Sequence, residues 1–301
     1  MIAPGYISSP SANGFHIGPL FVHVYGLSYV VGVGAAILMT RLLWKREGGD
    51  PSLPQEVALW AFPAGLIGGR IYFLITTPSQ IPPHWWGPFA IWKGGLGSWG
   101  GIGAGVLVGV WRLRRRLDRA TVRRFLDVAA PSLLVATASV RVGNYFNQEL
   151  FGRPTALPWG LEISPAHRPP QYRQFATFQP TFLYEMIFNL AFAALLVWLA
   201  QQHDASAAGS GRAGGRAGRK LARRIRPPGV FALYVAGYSG YRMFEETLRI
   251  DYSNYVLGMR LNFWIALVGC LAGLAWFVAI QRRWQMPLPR RRSGVASQPR
   301  G

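Results

Sequence analysis

Residues 129–155 read AAPSLLVATASVRVGNYFNQELFGRPT, an apolar run that ends in a dense polar cluster. The apolar part is typical of a membrane span, and ionisable side chains at such a position are costly to keep unless they have a function. Guanidinium and amide donors that lie close together are suited to bind an anionic group. The cluster contains Arg141, Asn144, Asn147, Gln148, Glu149 and Arg153. We therefore predict an anion-binding site at the end of this span.

The composition of the whole chain also favours a membrane protein. Half of the 301 side chains are hydrophobic and only 15% are charged, yet the net charge is +20. The basic residues lie in blocks between apolar runs, which membrane topology explains better than nucleic acid binding does. The single cysteine, Cys270, excludes a disulfide framework and CxxC metal or redox motifs.

Seven apolar runs approach the 20 or so residues that a spanning helix needs. They cover residues 20–43, 57–77, 89–111, 125–141, 180–201, 229–248 and 261–281. The fourth run is short and carries Asp127 and Pro131, so its pattern is the weakest of the seven. The sequence predicts an all-α integral membrane protein with about seven transmembrane helices.

The distribution of basic residues predicts the orientation of these helices. One set of alternate loops holds 22 Lys and Arg residues, and the other set holds 7. Because cytoplasmic loops carry the basic excess, the N-terminus is expected outside and the C-terminus in the cytoplasm. Residues 1–282 are predicted to form one polytopic membrane domain. Within it, residues 203–228 form a basic low-complexity cytoplasmic linker, and residues 283–301 form a basic disordered cytoplasmic tail.

Several ionisable residues are predicted to lie within spans. Arg70 follows two glycines in the middle of the second run, where function is favoured over a snorkelling arginine. For Glu185, a hydrogen bond to a neighbouring helix and a substrate role remain equally open. Arg242 and Glu246 are i,i+4 neighbours, and Arg249 follows on the same side. Two arginines that face one carboxylate leave a net positive face, which suits a phosphate, although a self-neutralising pair is the alternative.

A glycine-rich stretch, residues 94–105 (GGLGSWGGIGAG), contains a literal GxGxxG motif at Gly95, Gly97 and Gly100. A dinucleotide fold requires a strand before this motif and a soluble βαβ unit around it. Here the glycines begin an apolar span instead, which excludes that interpretation. Glycines at this position allow a lipid headgroup or another helix to approach closely.

The polar cluster resembles the signature of the prolipoprotein diacylglyceryl transferase family. The matching residues are Arg141, Gly143-Asn144-Tyr145-Phe146-Asn147, Glu149 and Gly152-Arg153. Further similar elements follow the family order: Tyr25-Gly26, Gly69-Arg70-Ile71, Trp92…Gly94-Gly95-Leu96…Gly100-Gly101, Pro180-Thr181…Leu183-Tyr184-Glu185 and Arg242…Glu246…Arg249. Two positions depart from the family pattern, because Trp99 and Gln179 stand where histidines are usual.

The resemblance implies transfer of a diacylglyceryl group from phosphatidylglycerol to the lipobox cysteine of a preprolipoprotein. A thioether forms and glycerol 1-phosphate leaves. The nucleophile belongs to the substrate, so Cys270 is not required. The implied location is the bacterial cytoplasmic (inner) membrane, with the active site toward the outer leaflet of the bilayer. Neither a cofactor nor a metal is expected.

The resemblance also implies residue roles. Arg141 and Arg242 are expected to bind the phosphate as catalytic residues, while Glu246 and Glu149 orient them or accept the thiol proton. Substrate-binding roles are implied for Arg141, Asn144, Asn147, Arg153, Arg249, Arg70, Tyr25, Gly95 and Gly100. A transporter or flippase for an anionic lipid is the main alternative, although no internal repeat supports it. A non-catalytic scaffold would leave the arginines and Glu246 unexplained.

Overall fold

The computed structural model describes residues 6–91, 94–207 and 225–282, with only the backbone for 201–207. The predicted tail, 283–301, and residues 208–224 of the predicted linker lie outside these ranges. The described part contains seven α-helices: α1 (Val24–Arg46), α2 (Leu53–Thr76), α3 (Ser98–Arg114), α4 (Arg119–Asn147), α5 (Thr181–Ala207), α6 (Gly229–Leu248) and α7 (Leu261–Arg282). The prediction of an all-α architecture is confirmed.

Three small antiparallel strand pairs accompany the helices, one before α1 and two in connections between described helices. They pair β1 (Gly14–Ile17) with β2 (Leu20–His23), β3 (Leu161–Glu162) with β4 (Thr177–Phe178), and β5 (Tyr255–Val256) with β6 (Met259–Arg260). The β1–β2 hairpin leads directly into α1, so the predicted start of the first span at residue 20 is wrong. The residues from 20 to 23 pair with β1 instead of continuing the helix.

Five of the described helices are long and apolar enough to cross a membrane: α1, α2, α4, α5 and α7. The third predicted run, 89–111, is only partly helical, because α3 begins at Ser98 and has 17 residues. Gly94 and Gly95 precede it with φ values of +85° and +81°, and these left-handed conformations do not belong to an α-helix. The sixth helix, α6, has 20 residues and carries Arg242, Glu245 and Glu246.

The fourth run, the weakest in the sequence, is part of the longest helix in the described chain. α4 has 29 residues and retains Pro131 in its interior. Asp118 caps its first turn by accepting from the backbone N–H groups of Ala120 (2.8 Å) and Thr121 (3.2 Å). Gln148 ends it in the left-handed region, with φ of +50°. These termini extend the helix beyond its apolar stretch at both ends.

Asp127 joins α4 to α6. Its buried carboxylate accepts a hydrogen bond from the Phe231 N–H at 2.8 Å. This N–H belongs to the first turn of α6, where Pro228 precedes the helix without a side-chain cap. The first N–H groups of a helix have no partner within it, so the carboxylate of a neighbouring helix supplies one. Asp127 therefore fixes the position of α6 along α4.

Glycines allow the closest helix contacts. On α1 and α4, a Cβ on Gly143 would lie 2.6 Å from Cδ2 and 2.8 Å from Cα of Tyr25. On α2 and α3, a Cβ on Gly65 would lie 3.3 Å from the Gly101 carbonyl oxygen, and one on Gly101 would approach Gly65 equally closely. Small residues of this kind drive helix association in lipid, because they let the backbones meet.

The segment between α4 and α5 folds over one end of the bundle. It has its own apolar cluster of Phe151, Leu161, Ile163 and Phe178, packed with Phe182 of α5. A backbone hydrogen bond from Gly152 N to Gln179 O (2.8 Å) closes the segment on itself, and one from Arg153 N to Leu248 O (3.1 Å) ties it to the end of α6. The polar ends of α4, α5 and α6 therefore meet beneath an ordered cover.

We predict that Asp127→Ala destabilises the protein by about 1–3 kcal/mol, because it leaves a buried helix N-terminus without an acceptor. The midpoint of thermal unfolding in detergent should fall, as measured by circular dichroism. Asp50→Ala is the matched control, since the exposed Asp50 side chain accepts hydrogen bonds from the nearby Ser52 N–H and hydroxyl in a loop. Equal losses in the two variants would contradict the role of Asp127.

Candidate active site

A buried carboxylate lies between two arginines at the centre of the polar cluster. Oε2 of Glu185 on α5 lies 3.1 Å from Nε of Arg141 on α4 and 3.3 Å from Nη1 of Arg242 on α6. All three side chains are buried. Glu185 Oε1 also accepts a hydrogen bond from the Tyr238 hydroxyl at 3.3 Å. The centre of the site is therefore an ion-pair bridge that joins three helices.

Arg242 contacts two further carboxylates. The predicted i,i+4 contact with Glu246 is present, and Arg242 Nη1 also pairs with Glu245, one turn along α6. The prediction of a net positive face is wrong, because the acids that complete the cluster lie on other elements or were not counted. Among the described residues the cluster holds four arginines and four acids: Arg141, Arg242, Arg249, Arg260, Glu185, Glu245, Glu246 and Asp251.

Arg249 and Arg260 close the outer side of this cluster. Arg249 holds Asp251 with two hydrogen bonds, Nε to Oδ1 at 2.7 Å and Nη2 to Oδ2 at 2.9 Å. Arg260 reaches both Glu246 Oε2 (2.7 Å) and Asp251 Oδ2 (3.0 Å). Burial raises the pKa of the Asp251 carboxyl, but Arg249 and Arg260 outweigh it and hold that pKa at about 2. The Asp251 carboxyl therefore stays ionised at neutral pH.

The signature residues after Arg141 form a second hydrogen-bonded chain. Arg141 Nη1 donates to Asn144 Oδ1 (3.0 Å), and Asn144 Nδ2 donates to Glu149 Oε1 (2.8 Å). Asn147 Nδ2 contacts the same Glu149 oxygen at 3.3 Å. Left-handed conformations at Gln148 and Leu150 turn the chain so that Glu149 returns to the end of α4. Glu149 thus reaches Arg141 only through an amide, whereas Glu246 contacts arginine directly.

Arg70 lies apart from the arginine cluster. Its guanidinium uses four hydrogen bonds to backbone carbonyls, from Nε to Pro88, from Nη2 to Gly87, and from Nη1 to Gly94 and Gly95, at 2.7–2.9 Å. A guanidinium has five N–H donors, so nearly all its capacity is used by one loop. Arg70 therefore fastens Gly87, Pro88, Gly94 and Gly95 to α2.

The remaining predicted site residues lie in different parts of the fold, outside the arginine cluster. Gly95 needs its positive φ, and a Cβ there would lie 2.7 Å from Arg70 Nη1. Gly100 lies against α2, where a Cβ would overlap the Gly68 carbonyl oxygen. Tyr25 is half-buried against α4 at Gly143, and Arg153 is exposed. The two glycines therefore form the structural frame, and the closest contacts of the arginine cluster do not include Arg153.

An apolar cavity of about 390 Å³ extends from this cluster between α1, α2, α3, α4 and α6. Arg141, Tyr238 and Gly97 line one end, and Leu113 and Pro54 line the other. A second cleft of about 410 Å³ lies between α1 and α2 and shares four lining residues with the cavity: Val33, Ile37, Ala58 and Phe62. A long apolar space with an arginine at one end suits an anionic amphiphile.

Comparison with known proteins supports the family resemblance found in the sequence. The family model described as prolipoprotein diacylglyceryl transferase matches residues 13–279. The phosphatidylglycerol–prolipoprotein diacylglyceryl transferase 2 of Streptomyces coelicolor is 40% identical over 281 residues, which cover 92% of this chain and 82% of that protein. The phosphatidylglycerol–prolipoprotein diacylglyceryl transferase of Cutibacterium acnes is 40% identical over 287 residues, 92% of this chain and 88% of that protein. The chain belongs to the prolipoprotein diacylglyceryl transferase family.

The two departures from the family pattern occupy different surroundings. The Trp99 ring lies 6.3 Å from the Tyr238 ring, centroid to centroid, on the side of α7 at Gly269. Gln179 lies in the covering segment, where its backbone pairs with Gly152 and Arg153. The histidines whose side chains the structure describes lie in the β1–β2 hairpin and in loops: His16, His23, His84 and His167. The ionisable groups of the described cluster are therefore arginines, carboxylates and tyrosines.

Four residues of the cluster were given no role from the sequence. Tyr238 and Glu245 lie four residues before and three residues after Arg242, so helical spacing could have identified both. Asp251 and Arg260 lie beyond the end of α6, in a connection whose course no periodicity predicts. Only the folded chain brings Arg260 to Glu246.

We predict that Gly100→Ala destabilises the α2–α3 contact, because its Cβ would overlap the backbone of α2. Gly103→Ala is the control on the same helix, since a Cβ there has no neighbour within 4 Å in the described chain. The control should be neutral or slightly stabilising, by up to about 1 kcal/mol. Thermal unfolding in detergent measures both variants, and a stable Gly100→Ala protein would show that the helices can separate without cost.

Proposed function

We propose that this chain transfers the diacylglyceryl group of phosphatidylglycerol to the cysteine thiol of a prolipoprotein lipobox. The observation that supports this best is the pair Arg141–Arg242, joined by Glu185, beside a long apolar cavity. In this proposal an acyl chain of the lipid enters the cavity, and the headgroup phosphate then meets Arg141 at its end. The named relatives act on the same two substrates according to their names.

Buried arginines supply the main catalytic effect in this proposal. The substrate thiolate attacks the glycerol carbon that carries the phosphate ester, a C–S bond forms, and the C–O bond breaks. Glycerol 1-phosphate leaves with the bonding electrons and gains negative charge. Preorganised guanidinium donors in a site of low dielectric constant stabilise that charge as it develops. Arg141 and Arg242 provide these donors, with Asn144 and Arg249 in support.

The substrate thiol must lose its proton, since an unperturbed cysteine has a pKa near 8.5. The Arg141 guanidinium, which lines the end of the cavity, favours the thiolate. Both oxygens of Glu246 already contact guanidinium groups, whereas Glu149 is half-buried and receives only amide hydrogen bonds. Of the two carboxylates named from the sequence, Glu149 is therefore the better proton acceptor, and Glu246 orients the arginines.

The proposed topology has seven spans in the bacterial inner membrane. The N-terminus lies outside, the C-terminus lies in the cytoplasm, and the site faces the outer leaflet. The basic excess in alternate loops supports this orientation. In this topology α3 and α6 span the membrane together with the other five helices. The charged side chains of α6 are tolerated in the membrane because they form ion pairs inside the bundle.

Transfer itself is the decisive test. Purified protein receives labelled phosphatidylglycerol and a lipobox peptide, and a peptide with serine in place of cysteine is the control. A thioether-linked diacylglyceryl peptide with released glycerol phosphate is the expected product. Lipid binding without any transfer would contradict the proposal and favour an anionic-lipid transporter.

We predict that Arg141→Lys reduces the transfer rate about 100-fold without loss of membrane insertion, because a point charge cannot replace a planar fork of donors. The rate of labelled peptide formation measures this. Arg173→Lys, at an exposed loop position, is the control and should retain full activity. A fully active Arg141→Lys enzyme would limit Arg141 to a role in folding or topology.

We predict that two introduced cysteines are labelled from opposite sides of the membrane. In a Cys270→Ser background, Ala156→Cys should react with an impermeant maleimide in intact spheroplasts. Ser52→Cys should react only after permeabilisation. Both positions are exposed loop residues, and the reverse pattern would overturn the orientation.

A further inference from the structure

Glu185 differs from the other acids of the cluster in what it contacts. In the described part of the chain, Glu245 and Glu246 each pair with Arg242 but not with Arg141. Glu185 alone among these carboxylates pairs with both. We propose that Glu185 is a positioning residue that fixes Arg141 and Arg242 at the separation needed to act on one phosphate. This inference rests on the proposed function.

The geometry of Glu185 suits a fixed bridge. Its side chain is 0% exposed. One oxygen, Oε2, faces both guanidinium groups, and the other, Oε1, accepts from the Tyr238 hydroxyl. The bridge thus spans three helices, with Arg141 on α4, Glu185 on α5, and both Arg242 and Tyr238 on α6. A side chain held from three directions has little freedom to reorient.

Charge explains why the bridge is needed. Two guanidinium groups that approach the same carboxylate oxygen repel each other strongly in a site from which water is excluded. Glu185 lies between them and offsets this repulsion, while Glu245 and Glu246 pair with Arg242 alone. Without it, the arginines would separate or turn toward other acceptors. The bridge therefore brings two like charges to one leaving group.

Glu185 is less suited to accept the thiol proton. Both of its oxygens are already engaged, by two guanidinium groups and one hydroxyl, and its carboxylate does not line the described cavity. Tyr238 and Arg141 do line it. Glu185 thus acts on the substrate through these residues, as support rather than as a reacting group.

The test is Glu185→Gln, which keeps the size of the side chain but removes its charge. We expect kcat to fall about 100-fold, similar to the loss of a preorganised donor. The Kd for glycerol 1-phosphate should fall at least about threefold, because the site gains one uncompensated positive charge that attracts the phosphate. Steady-state transfer kinetics and titration calorimetry provide the two values.

This combination separates positioning from a general loss of structure. A misfolded variant would lose kcat and bind glycerol 1-phosphate more weakly or in a smaller fraction of molecules, and that result would overturn the proposal. Unchanged kcat would overturn it as well. Asn189→Leu is the matched control: Asn189 lies one turn further along α5, equally buried, and has no hydrogen-bond partner in the described structure. It should leave kcat and Kd unchanged.

Glu185→Asp tests the length of the bridge. The shorter side chain restores the charge but can reach only one guanidinium, so Kd should return to the wild-type value while kcat stays about tenfold low. Full recovery of kcat would show that charge alone matters, and the positioning role would fail. If the wild-type protein shows no transfer, the proposed function fails, and Kd alone still tests whether Glu185 neutralises the arginine pair.

Discussion

Burying an arginine in a helix bundle is unfavourable unless a carboxylate and enough hydrogen-bond acceptors accompany it. This constraint organises the polar end of the protein. Arg141 lies on α4, Arg242 on α6, Arg249 just after α6 and Arg260 on β6, and each is paired with at least one acid. The relative positions of α4, α5 and α6 follow from this matching, because apolar side chains alone would permit the helices to slide.

The same constraint acts elsewhere on single groups. Asp127 supplies the acceptor that the start of α6 lacks, and Arg70 is satisfied by carbonyls of one loop. Each interaction joins segments distant in sequence and has a defined direction. In lipid, where hydrophobic burial gives little preference among helix arrangements, such polar contacts and the glycine contacts of α2 and α3 specify which helices meet.

The sequence was most informative about features that are local. Apolar runs located the seven helices, and helical spacing brought Arg242 to Glu246, because both patterns depend on neighbours within a few turns. It failed for contacts between residues that are distant in sequence. Asp127 weakened the prediction of a spanning helix at α4. In the folded chain its carboxylate accepts a hydrogen bond from the Phe231 N–H, which makes a buried acid favourable at this position. The balance of charge was also missed, since Glu185 and Arg260 approach Arg242 and Glu246 from other elements.

The cavity beside Arg141 has consequences for the choice of lipid. Its walls are mostly aliphatic and aromatic, and the polar contacts are concentrated at one end. A hydrophobic wall distinguishes one methylene more or less only weakly, whereas buried donors reject a molecule without the matching group strongly. Under the proposed function, the enzyme would therefore select its donor by headgroup and tolerate wide variation in acyl chains. A bacterium could then remodel its membrane fluidity with temperature while lipoprotein modification continues unchanged.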